Sequence, residues 1–258
     1  MRGDPLETVI DFASAPRPDP AQGLFETLLV VDGHGVLWRR HRERLHASAR
    51  ALYGTEPGHA LDRAVARAAE RHPLARLRVR AVPEDDGGMA MTAEVEPIDA
   101  AIVLGEEEAD LALVRVSRGF GRHKLVDRSW LAKLESVAPR GARPLLVSTD
   151  DHVLETTRAN VLALHDGELL TPPLDDQILP GVTRAIVLEQ ARRSGVPVHE
   201  ERLSLDALRG ADTILLSGSV RLLERRRLRE EPRSEAALSA LVEGLRAGVG
   251  WPSRATTR

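Results

Sequence analysis

The sequence predicts an α+β fold built from two domains. Short apolar or alternating runs typical of strands occur in both halves of the chain, among segments with helical periodicity. The pattern restarts after Gly119 and Gly121. At 258 residues, 42% of them hydrophobic, the chain can bury one large core or two modest ones. We therefore predict a proline-rich arm at residues 1–22, a small α/β domain at 23–118 and a larger domain at 119–258.

The first domain should contain a sheet covered by about two helices. The arm ends in SAPRPDPAQG, whose closely spaced prolines oppose regular structure, so order is expected from Gly23. LFETLLVVDG predicts a strand that enters an Asp-Gly hairpin, with GVLW as the return. Helices are predicted around Leu45, Ala49 and Leu52, ending at Gly54, and at ALDRAVARAAERH. The strands LARLRVRAV, MAMTAEVEP and LALVRVSR complete this sheet.

The second domain repeats the mixture of strands and helices. DRSWLAKLESV predicts a helix, RPLLVSTD a strand, and VLETTRANVLALHDGELLTPP two strands joined at an Asp-Gly turn. The clearest helix is LPGVTRAIVLEQARRSG, with Pro180 and Gly181 at its start. VPVHEERL and DTILLSGSV predict strands around the helix SLDALRG, and SEAALSALVEGLRAG predicts a terminal helix. The charge run ERRRLREEPR, residues 224–233, is interpreted as a solvated surface.

Composition excludes several classes of function. The formal net charge is -3 and no long basic block is present, so binding to nucleic acid or to an anionic membrane is not favoured. The chain has no cysteine, which excludes disulfides, thiolate metal sites and a cysteine nucleophile. No apolar run approaches the length of a membrane span, and no secretion signal is recognisable. We predict a cytoplasmic protein without a metal site.

The use of lysine is unusual. Of the 36 basic residues, 34 are arginines and two, Lys124 and Lys133, are lysines. Arginine replaces lysine wherever only a cation is needed, but a guanidinium cannot form a Schiff base or act as a base near neutral pH. A retained lysine therefore indicates chemistry that needs a primary amine. Lys133 falls within a charged helix and fits an exposed residue, although scarcity alone does not distinguish the two.

Other segments carry weaker chemical signals. Glu155 and Asn160 flank a turn between strands, and a buried carboxylate there could pair with a pyridinium nitrogen; an exposed glutamate is the alternative. The helix that begins near Thr183 offers free N–H groups to an anion. Ser217 and Ser219, with Gly218 between them, could form a second phosphate cradle, and Arg44 could clamp a phosphate. Each of these signals has a commoner structural explanation when taken alone.

The order of these segments is specific. GLFETLLVVDG, H-x-x-R-L, Lys124, E-x-x-x-x-N, TPPLDDQILPGVTR and ADTILLSGSVR resemble class IV pyridoxal-phosphate-dependent aminotransferases and lyases over residues 23–223. The resemblance implies a two-domain D-amino-acid aminotransferase-like fold, an active site between the domains, and pyridoxal 5'-phosphate as cofactor of the larger domain. K-x-x-D-R after the lysine and the proline-rich junction resemble 4-amino-4-deoxychorismate lyases, including those fused behind aminodeoxychorismate synthase.

The resemblance also implies residue roles. Lys124 would form the Schiff base with the cofactor, and Glu155 would pair with its pyridine nitrogen. Phe25 and Thr27 would face the substrate, with Thr27 and Lys124 as the catalytic residues. The other implied cofactor-binding residues are Arg44, Asn160, Val182, Thr183 and Ser219.

The chain also departs from the family pattern. Its proline-rich arm replaces the usual opening strand, and Gly218 stands where lyase relatives often have Asn. The arginines that bind substrate carboxylates are left open among Arg76, Arg78, Arg80, Arg115, Arg118 and Arg122.

The expected activity is release of pyruvate from 4-amino-4-deoxychorismate, which yields 4-aminobenzoate for folate synthesis or a specialised metabolite. One alternative is an aminotransferase acting on D-amino or branched-chain acids. Another is a non-catalytic partner of a synthase subunit, suggested by the fusion-like N-terminus. The resemblance further implies a small-molecule substrate and a homodimer, and it leaves an aminodeoxychorismate synthase subunit as a candidate partner.

Overall fold

The computed structural model describes residues 9–12, 17–104, 110–226 and 235–248, and these residues divide into two compact units. The small unit comprises residues 18–104, 123–128 and 246–248. The large unit comprises residues 9–12, 17, 110–122, 129–226 and 235–245. Within the described ranges, no helix combines the length and the apolar character needed to cross a membrane.

Both units contain strands and helices. The strands are β1 (Val9–Phe12), β2 (Leu24–Val31), β3 (His34–Gly35), β4 (Leu74–Pro83), β5 (Met89–Pro97), β6 (Leu111–Val116), β7 (Arg143–Ser148), β8 (Val153–Thr156), β9 (Asn160–His165), β10 (Glu168–Thr171), β11 (Val198–Glu200), β12 (Thr213–Gly218) and β13 (Leu222–Arg226). The helices are α1 (Trp38–Tyr53), α2 (Ala60–Ala69), α3 (Ala100–Leu104), α4 (Ser129–Val137), α5 (Val182–Arg193), α6 (Leu205–Gly210) and α7 (Glu235–Gly248). A short 3₁₀ helix spans Pro20–Gln22.

The small unit is a four-stranded antiparallel sheet, ordered β3-β2-β4-β5. The predicted Asp-Gly turn is confirmed: Asp32 and Gly33 both have positive φ, 48° and 77°, which a type I′ turn requires at its two central positions. The prediction of GVLW as the return strand was wrong, because β3 is limited to His34–Gly35 and α1 begins at Trp38. Leu28 and Val30 of β2 pack with Leu45 of α1 into the core of this unit. The alternate residues of β2, including Phe25 and Thr27, therefore face the other side of the sheet.

The large unit is a nine-stranded mixed sheet. It runs β1-β6-β7-β8-β9-β10-β11, and β12 pairs with both β9 and β13. Most predicted helices and strands of this half are confirmed. The segment predicted as two strands at VLETTRANVLALHDGELL forms three, because a tight turn at residues 157–159 separates β8 from β9. This turn holds Glu155 and Asn160 opposite each other.

Two predictions about the first half were wrong. β6 belongs to the large sheet and not to the first one, because it pairs in parallel with β7 along its whole length. The N-terminal arm is not free of regular structure before Gly23, because β1 adds to the far side of β6 and a 3₁₀ helix follows. The arm therefore supplies a short opening strand; residues 1–8 and 13–16 lie outside the described residues.

The chain passes between the two compact units at other places than the predicted boundary at residue 119. Residues 110–118 join the large unit through β6, whereas residues 123–128 return to the small unit. The return has a physical cause, because backbone hydrogen bonds tie this segment to β2: Phe25 N–H donates to the Lys124 carbonyl at 3.0 Å, and Val126 N–H donates to the Gly23 carbonyl at 2.9 Å.

The interpretation of residues 224–233 as a solvated surface was also wrong in its described part. Residues 224–226 end β13, and Glu224 and Arg226 are buried, with 3% and 7% exposure. Glu224 accepts a two-pronged contact from Arg143 at 2.7 and 3.1 Å and a further bond from Arg226 at 3.0 Å. Burial of these charges is tolerated because they are paired. Residues 227–233 lie outside the described residues.

Candidate active site

Lys124 is held against the edge of β2 in the small unit. The backbone bond from Phe25 fixes its carbonyl, and its ammonium lies 4.7 Å from the centroid of the buried Phe25 ring. The side chain is half-buried. Lys133, by contrast, is exposed on α4, as the sequence indicated. The two lysines therefore differ in surroundings: Lys124 lies beside an aromatic residue that the sequence predicted to face the substrate.

Phe25 and Thr27 share one face of β2, and Thr27 is half-buried. Opposite them on β4 are Arg80 and Arg78, respectively. The Arg78 guanidinium lies 5.3 Å from the Phe25 centroid. This face of the sheet therefore brings an aromatic ring, a hydroxyl and a primary amine together with cations, the kinds of groups that can orient a small anionic substrate.

The opposite face of β2 carries a buried ionic network that the sequence did not reveal. Glu26 is 1% exposed and accepts two hydrogen bonds from Arg44, at 2.8 Å from Nε and 2.6 Å from Nη2. His41 Nδ1 lies 2.8 Å from the same carboxylate. Arg44, predicted to contact a phosphate, is therefore oriented by Glu26. The signal for Glu26 was a charged residue inside an otherwise apolar strand, LFETLLVV.

The network shifts the pKa values of its members. Burial alone would raise the pKa of Glu26, but the charge and hydrogen bonds of Arg44 and His41 outweigh it and lower this pKa to about 2. Burial lowers the pKa of His41, and the positive charges of Arg44 and Lys124 act in the same direction against the pull of Glu26. Glu26 is therefore a carboxylate at neutral pH, and a neutral His41 can donate Nδ1–H to it.

Glu155 is a buried carboxylate at the end of β8 in the large unit. It is 4% exposed and accepts hydrogen bonds from Asn160 Nδ2 at 3.1 Å and from the backbone N–H of Leu179 at 3.2 Å. Asn160 also donates to the Leu179 carbonyl at 2.9 Å, which connects the β8–β9 turn to the chain just before α5. The predicted pair of Glu155 and Asn160 is thus one hydrogen-bonded unit. A cation is the partner that a buried carboxylate favours.

The N-terminus of α5 has the features of an anion site. Gly181 is the N-cap and has no side chain to bond the first turn, so the dipole and N–H groups of that turn remain available to an anion. Thr183 is 2% exposed, and its Oγ1 has no hydrogen-bond partner among the described residues. A Cβ built on Gly181 would lie 1.9 Å from Asn160 Oδ1, so the close approach of α5 to Asn160 requires glycine here.

The β12–β13 turn adds further hydroxyls to the large unit. Ser219 is half-buried in this turn. Ser217 lies opposite Asn160 in the sheet, and its buried Oγ also has no hydrogen-bond partner among the described residues. The sequence indicated both serines as a possible phosphate cradle, and the family resemblance implied Ser219 as the cofactor-binding residue. A Cβ on Gly218 would contact the Arg158 carbonyl at 3.4 Å, so a side chain at this position would be crowded by the turn before β9.

The predicted residues thus form two groups. Within the small unit, Phe25 contacts Lys124 and shares a face with Thr27, whereas Arg44 lies on the other face of the sheet with Glu26 and His41. Within the large unit, Asn160 connects Glu155 to the segment that leads into Val182 and Thr183. The first group offers an amine nucleophile. The second offers a buried carboxylate and an anion site.

Comparison with known proteins identifies the family. The model of the family described as "Amino-transferase class IV" matches residues 23–225. A Mycobacterium tuberculosis protein named bifunctional aminodeoxychorismate lyase / D-amino acid transaminase is 32% identical over 251 residues, which cover 83% of this chain and 86% of that protein.

Solved structures of related proteins have the same fold as this chain. A hypothetical aminotransferase from Mycobacterium tuberculosis in its PLP-bound form has a TM-score of 0.77 at 29% identity, covering 88% of this chain and 90% of that one. A 4-amino-4-deoxychorismate lyase from Pseudomonas aeruginosa has the same fold, with a TM-score of 0.70 at 23% identity and coverage of 91% and 94%. The chain belongs to the class IV aminotransferase family, an enzyme family with an α+β fold and pyridoxal phosphate as its cofactor.

Proposed function

We propose that the protein is a lyase that converts 4-amino-4-deoxychorismate to 4-aminobenzoate and pyruvate. The observation that carries the proposal is the sequence Lys-Leu-Val-Asp-Arg from Lys124 to Arg128, which resembles the lyase branch of the family. The bifunctional name of the Mycobacterium tuberculosis relative, in which lyase is one of two activities, supports it.

The residues present fit the cofactor. A buried threonine hydroxyl without a partner, at a helix N-terminus without a side-chain cap, suits a phosphate group. A buried carboxylate suits a protonated ring nitrogen. We propose that Lys124 binds the cofactor covalently and that Glu155, held by Asn160, pairs with the ring nitrogen. The proposed phosphate contacts are Arg44, Val182, Thr183 and Ser219.

The cofactor, when bound, supplies a pyridinium ring that accepts electrons from a breaking bond at the substrate carbon next to nitrogen. Glu155 supports this by keeping a proton on the ring nitrogen, because its buried negative charge favours the cationic form. Lys124 would be the base that removes the proton from that carbon through Nζ. The C–O bond to the neighbouring enolpyruvyl group would then break with the electron pair on oxygen, which leaves an aromatic ring. The same Nζ would return the proton to the enolpyruvate carbon, which gives pyruvate.

The residues of β2 orient the substrate. Phe25 presents its ring beside Lys124 and excludes water from that side of the amine, since the ring is only 5% exposed. Thr27 lies two residues along the same face and offers a hydroxyl to the reacting group. We propose that Thr27 and Lys124 are the catalytic residues of this unit.

The direct test is release of pyruvate from 4-amino-4-deoxychorismate, followed by coupling to lactate dehydrogenase. Steady release that depends on Lys124 supports the proposal. Absence of pyruvate from a preparation that carries the cofactor contradicts it. Arg39→Gln is a suitable control for the assay, because Arg39 is an exposed residue of α1 whose side chain is 78% accessible.

An aminotransferase is the second candidate. The Mycobacterium tuberculosis relative is also named a D-amino acid transaminase. A hypothetical aminotransferase of that organism, 29% identical to this chain, has been solved with alpha-ketoglutarate and PMP bound. Transfer from a D-amino or branched-chain acid would need the same lysine and cofactor. The aminotransferase is supported if the protein forms glutamate from 2-oxoglutarate and an amino acid but releases no pyruvate from 4-amino-4-deoxychorismate.

A non-catalytic partner of a synthase subunit is a third candidate, and it predicts a purified protein without cofactor absorbance. For the catalytic protein we propose a cytoplasmic homodimer that supplies 4-aminobenzoate to folate synthesis or to a specialised metabolite. Light scattering of the purified chain tests the dimer. Copurification with an aminodeoxychorismate synthase subunit tests that partner.

A further inference from the structure

We propose that Arg128 binds a carboxylate of the substrate, with Arg78 as the second cation, and that it makes the enzyme selective for anionic substrates. This inference rests on the proposed function, because it concerns the substrate that reacts at Lys124. Among the arginines that the sequence left open it favours Arg78, whose guanidinium lies over the Phe25 ring, and it adds Arg128, which the sequence presented only as a branch signature.

Three cations converge on one buried aromatic ring. Lys124 Nζ lies 4.7 Å from the centroid of Phe25, Arg128 Cζ lies at 5.2 Å and Arg78 Cζ lies at 5.3 Å. Each of these distances is within the range of a cation–π interaction. Phe25 therefore acts as a platform that gathers two guanidinium groups around the amine that is proposed to react.

Arg128 is positioned by a segment with several anchors. Val126 N–H donates to the Gly23 carbonyl at 2.9 Å, and the carboxylate of Asp127 accepts a bond from the backbone N–H of Asp19 at 2.9 Å. These contacts tie both residues before Arg128 to the start of the small unit. Asp127 thus acts as a positioning residue for Arg128, which accounts physically for the Asp-Arg pair in the lyase-like sequence.

Arg78 reaches the same ring from β4. It lies directly opposite Thr27 in the sheet, and its other neighbour, on β5, is the exposed Glu94. The buried acid of β2, Glu26, faces the opposite side of the sheet, where Arg44 and His41 contact it. The hydrogen bonds of that carboxylate therefore come from α1, and the charge of Lys124 links the Glu26 network to the cations around Phe25.

Other arginines from the sequence have different surroundings. Arg76 pairs with Glu96, Arg115 pairs with Asp151, Arg122 pairs with Asp176, and Arg118 lies over Trp130. None of these four contacts involves Phe25. The geometry thus separates Arg78 and Arg128 from them.

The arrangement favours an anionic ligand. An anion that binds beside this ring is attracted by two guanidinium groups and an ammonium at once. Guanidinium groups bind carboxylates with two parallel hydrogen bonds, which adds geometric selectivity to charge. The substrate class is therefore a carboxylate that presents its acid group close to the reacting amine, as the dicarboxylate 4-amino-4-deoxychorismate does.

The test uses chorismate, which carries both carboxylates but has a hydroxyl in place of the reacting amine. Its binding to the cofactor-loaded protein is measured by calorimetry, without turnover. Arg128→Gln should weaken binding at least tenfold, and Arg128→Lys should recover part of the loss. Arg76→Gln is the control, because Arg76 lies on the same strand as Arg78 but is paired with Glu96. It should change chorismate binding less than twofold. The cofactor absorbance of all variants should equal that of the wild type.

Chorismate binding that is within twofold of wild type in Arg128→Gln overturns the inference, and so does a wild-type protein that does not bind chorismate. The pyruvate assay separates this failure from that of the proposed function. If pyruvate is released equally by wild type and Arg128→Gln, the lyase stands and the carboxylate contact is wrong. If binding depends on Arg128 but no pyruvate forms, the contact stands and the lyase is wrong.

Discussion

Glu26 is a buried charge in the middle of an apolar strand, and its partners come from α1. Arg44 and His41 both contact it, and they lie 18 and 15 residues further along the chain. A buried ion pair gains stability only when its hydrogen bonds are complete, so loss of one partner is costly. Here the pair adds a buried polar contact to the apolar packing that joins β2 to α1.

Glu26→Gln should destabilise the protein. The substitution leaves the charge of Arg44 buried with a neutral partner, so we expect a loss of about 3 kcal/mol in the free energy of unfolding. Urea unfolding followed by circular dichroism measures it. Glu43→Gln removes an exposed partner of Arg39 in α1 and should cost less than about 0.5 kcal/mol. Equal effects of the two substitutions would contradict the importance of the buried pair.

The same carboxylate should make stability depend on pH. Its pKa is about 2 in the folded protein against an ordinary value of 4.5, so the unfolded chain takes up the proton first as the pH falls. The stabilisation, about 3 kcal/mol, is therefore complete above pH 4.5 and is lost between pH 4.5 and about 2. The lowered pKa of His41 adds a loss that begins below its ordinary value of 6.5.

The difference in unfolding free energy between wild type and Glu26→Gln isolates this contribution. It should be largest near neutral pH and should shrink toward zero as the pH approaches 2. Urea titrations at a series of pH values give the curve. A difference that stays constant across the series would mean that Glu26 is not the group responsible.

Glu155 gives a second prediction for a single residue, this time for activity. Glu155→Gln keeps the shape and the bond from Leu179 but removes the charge that favours a protonated ring nitrogen. We expect turnover to fall about 100-fold while the cofactor stays bound, a loss typical of removing a group that controls a proton. Glu168→Gln, at an exposed pair with His199, should leave turnover unchanged. Wild-type turnover in Glu155→Gln would exclude the proposed role.

At the scale of elements, the start of α5 depends on one glycine. Gly181 has an ordinary extended conformation, with φ −66° and ψ 129°, so its backbone does not require glycine. The requirement comes from Asn160, whose Oδ1 lies 1.9 Å from the position of an added Cβ. Because Asn160 also holds Glu155, a shift of this side chain disturbs the carboxylate and the anion site together.

Gly181→Ala should therefore weaken cofactor binding. Overpacking of a tight contact costs ~1–3 kcal/mol, which corresponds to about 5- to 150-fold weaker binding when the strain falls on the cofactor-bound form. Titration of the cofactor-free protein with pyridoxal phosphate, followed by absorbance, gives the dissociation constant. Gly210→Ala is the matched control, since no heavy atom lies within 4 Å of the added Cβ. Equal affinity in both variants would show that Asn160 adapts without cost.

At the scale of the whole molecule, local patterns predicted most helices and strands. Asp-Gly turns, helix-ending glycines and alternating apolar residues are properties of neighbouring residues, so they can be read directly. The prediction for β6 was wrong because sheet membership depends on pairing between distant segments. β6 has the same local pattern whether it pairs with the first sheet or with β7.

The candidate site was predictable in its residues but not in its contacts. Order and spacing of motifs led to Lys124, Glu155 and Thr183. The buried partners of charged groups escaped prediction, because each pair joins distant positions: Arg143 and Glu224 are 81 residues apart. Burial of a charge follows from the presence of such a partner, which a local pattern cannot reveal.

The central claim is that Lys124 binds pyridoxal phosphate, and the scarcity of lysine makes it directly testable. Reduction of the cofactor-loaded protein with borohydride makes the bond between cofactor and amine permanent. Peptide mass spectrometry then identifies the modified lysine, and the chain has only Lys124 and Lys133 to choose from. We expect the cofactor mass on the peptide that contains Lys124 and an unmodified Lys133. Modification of Lys133, or a protein that carries no cofactor on either lysine, would contradict it.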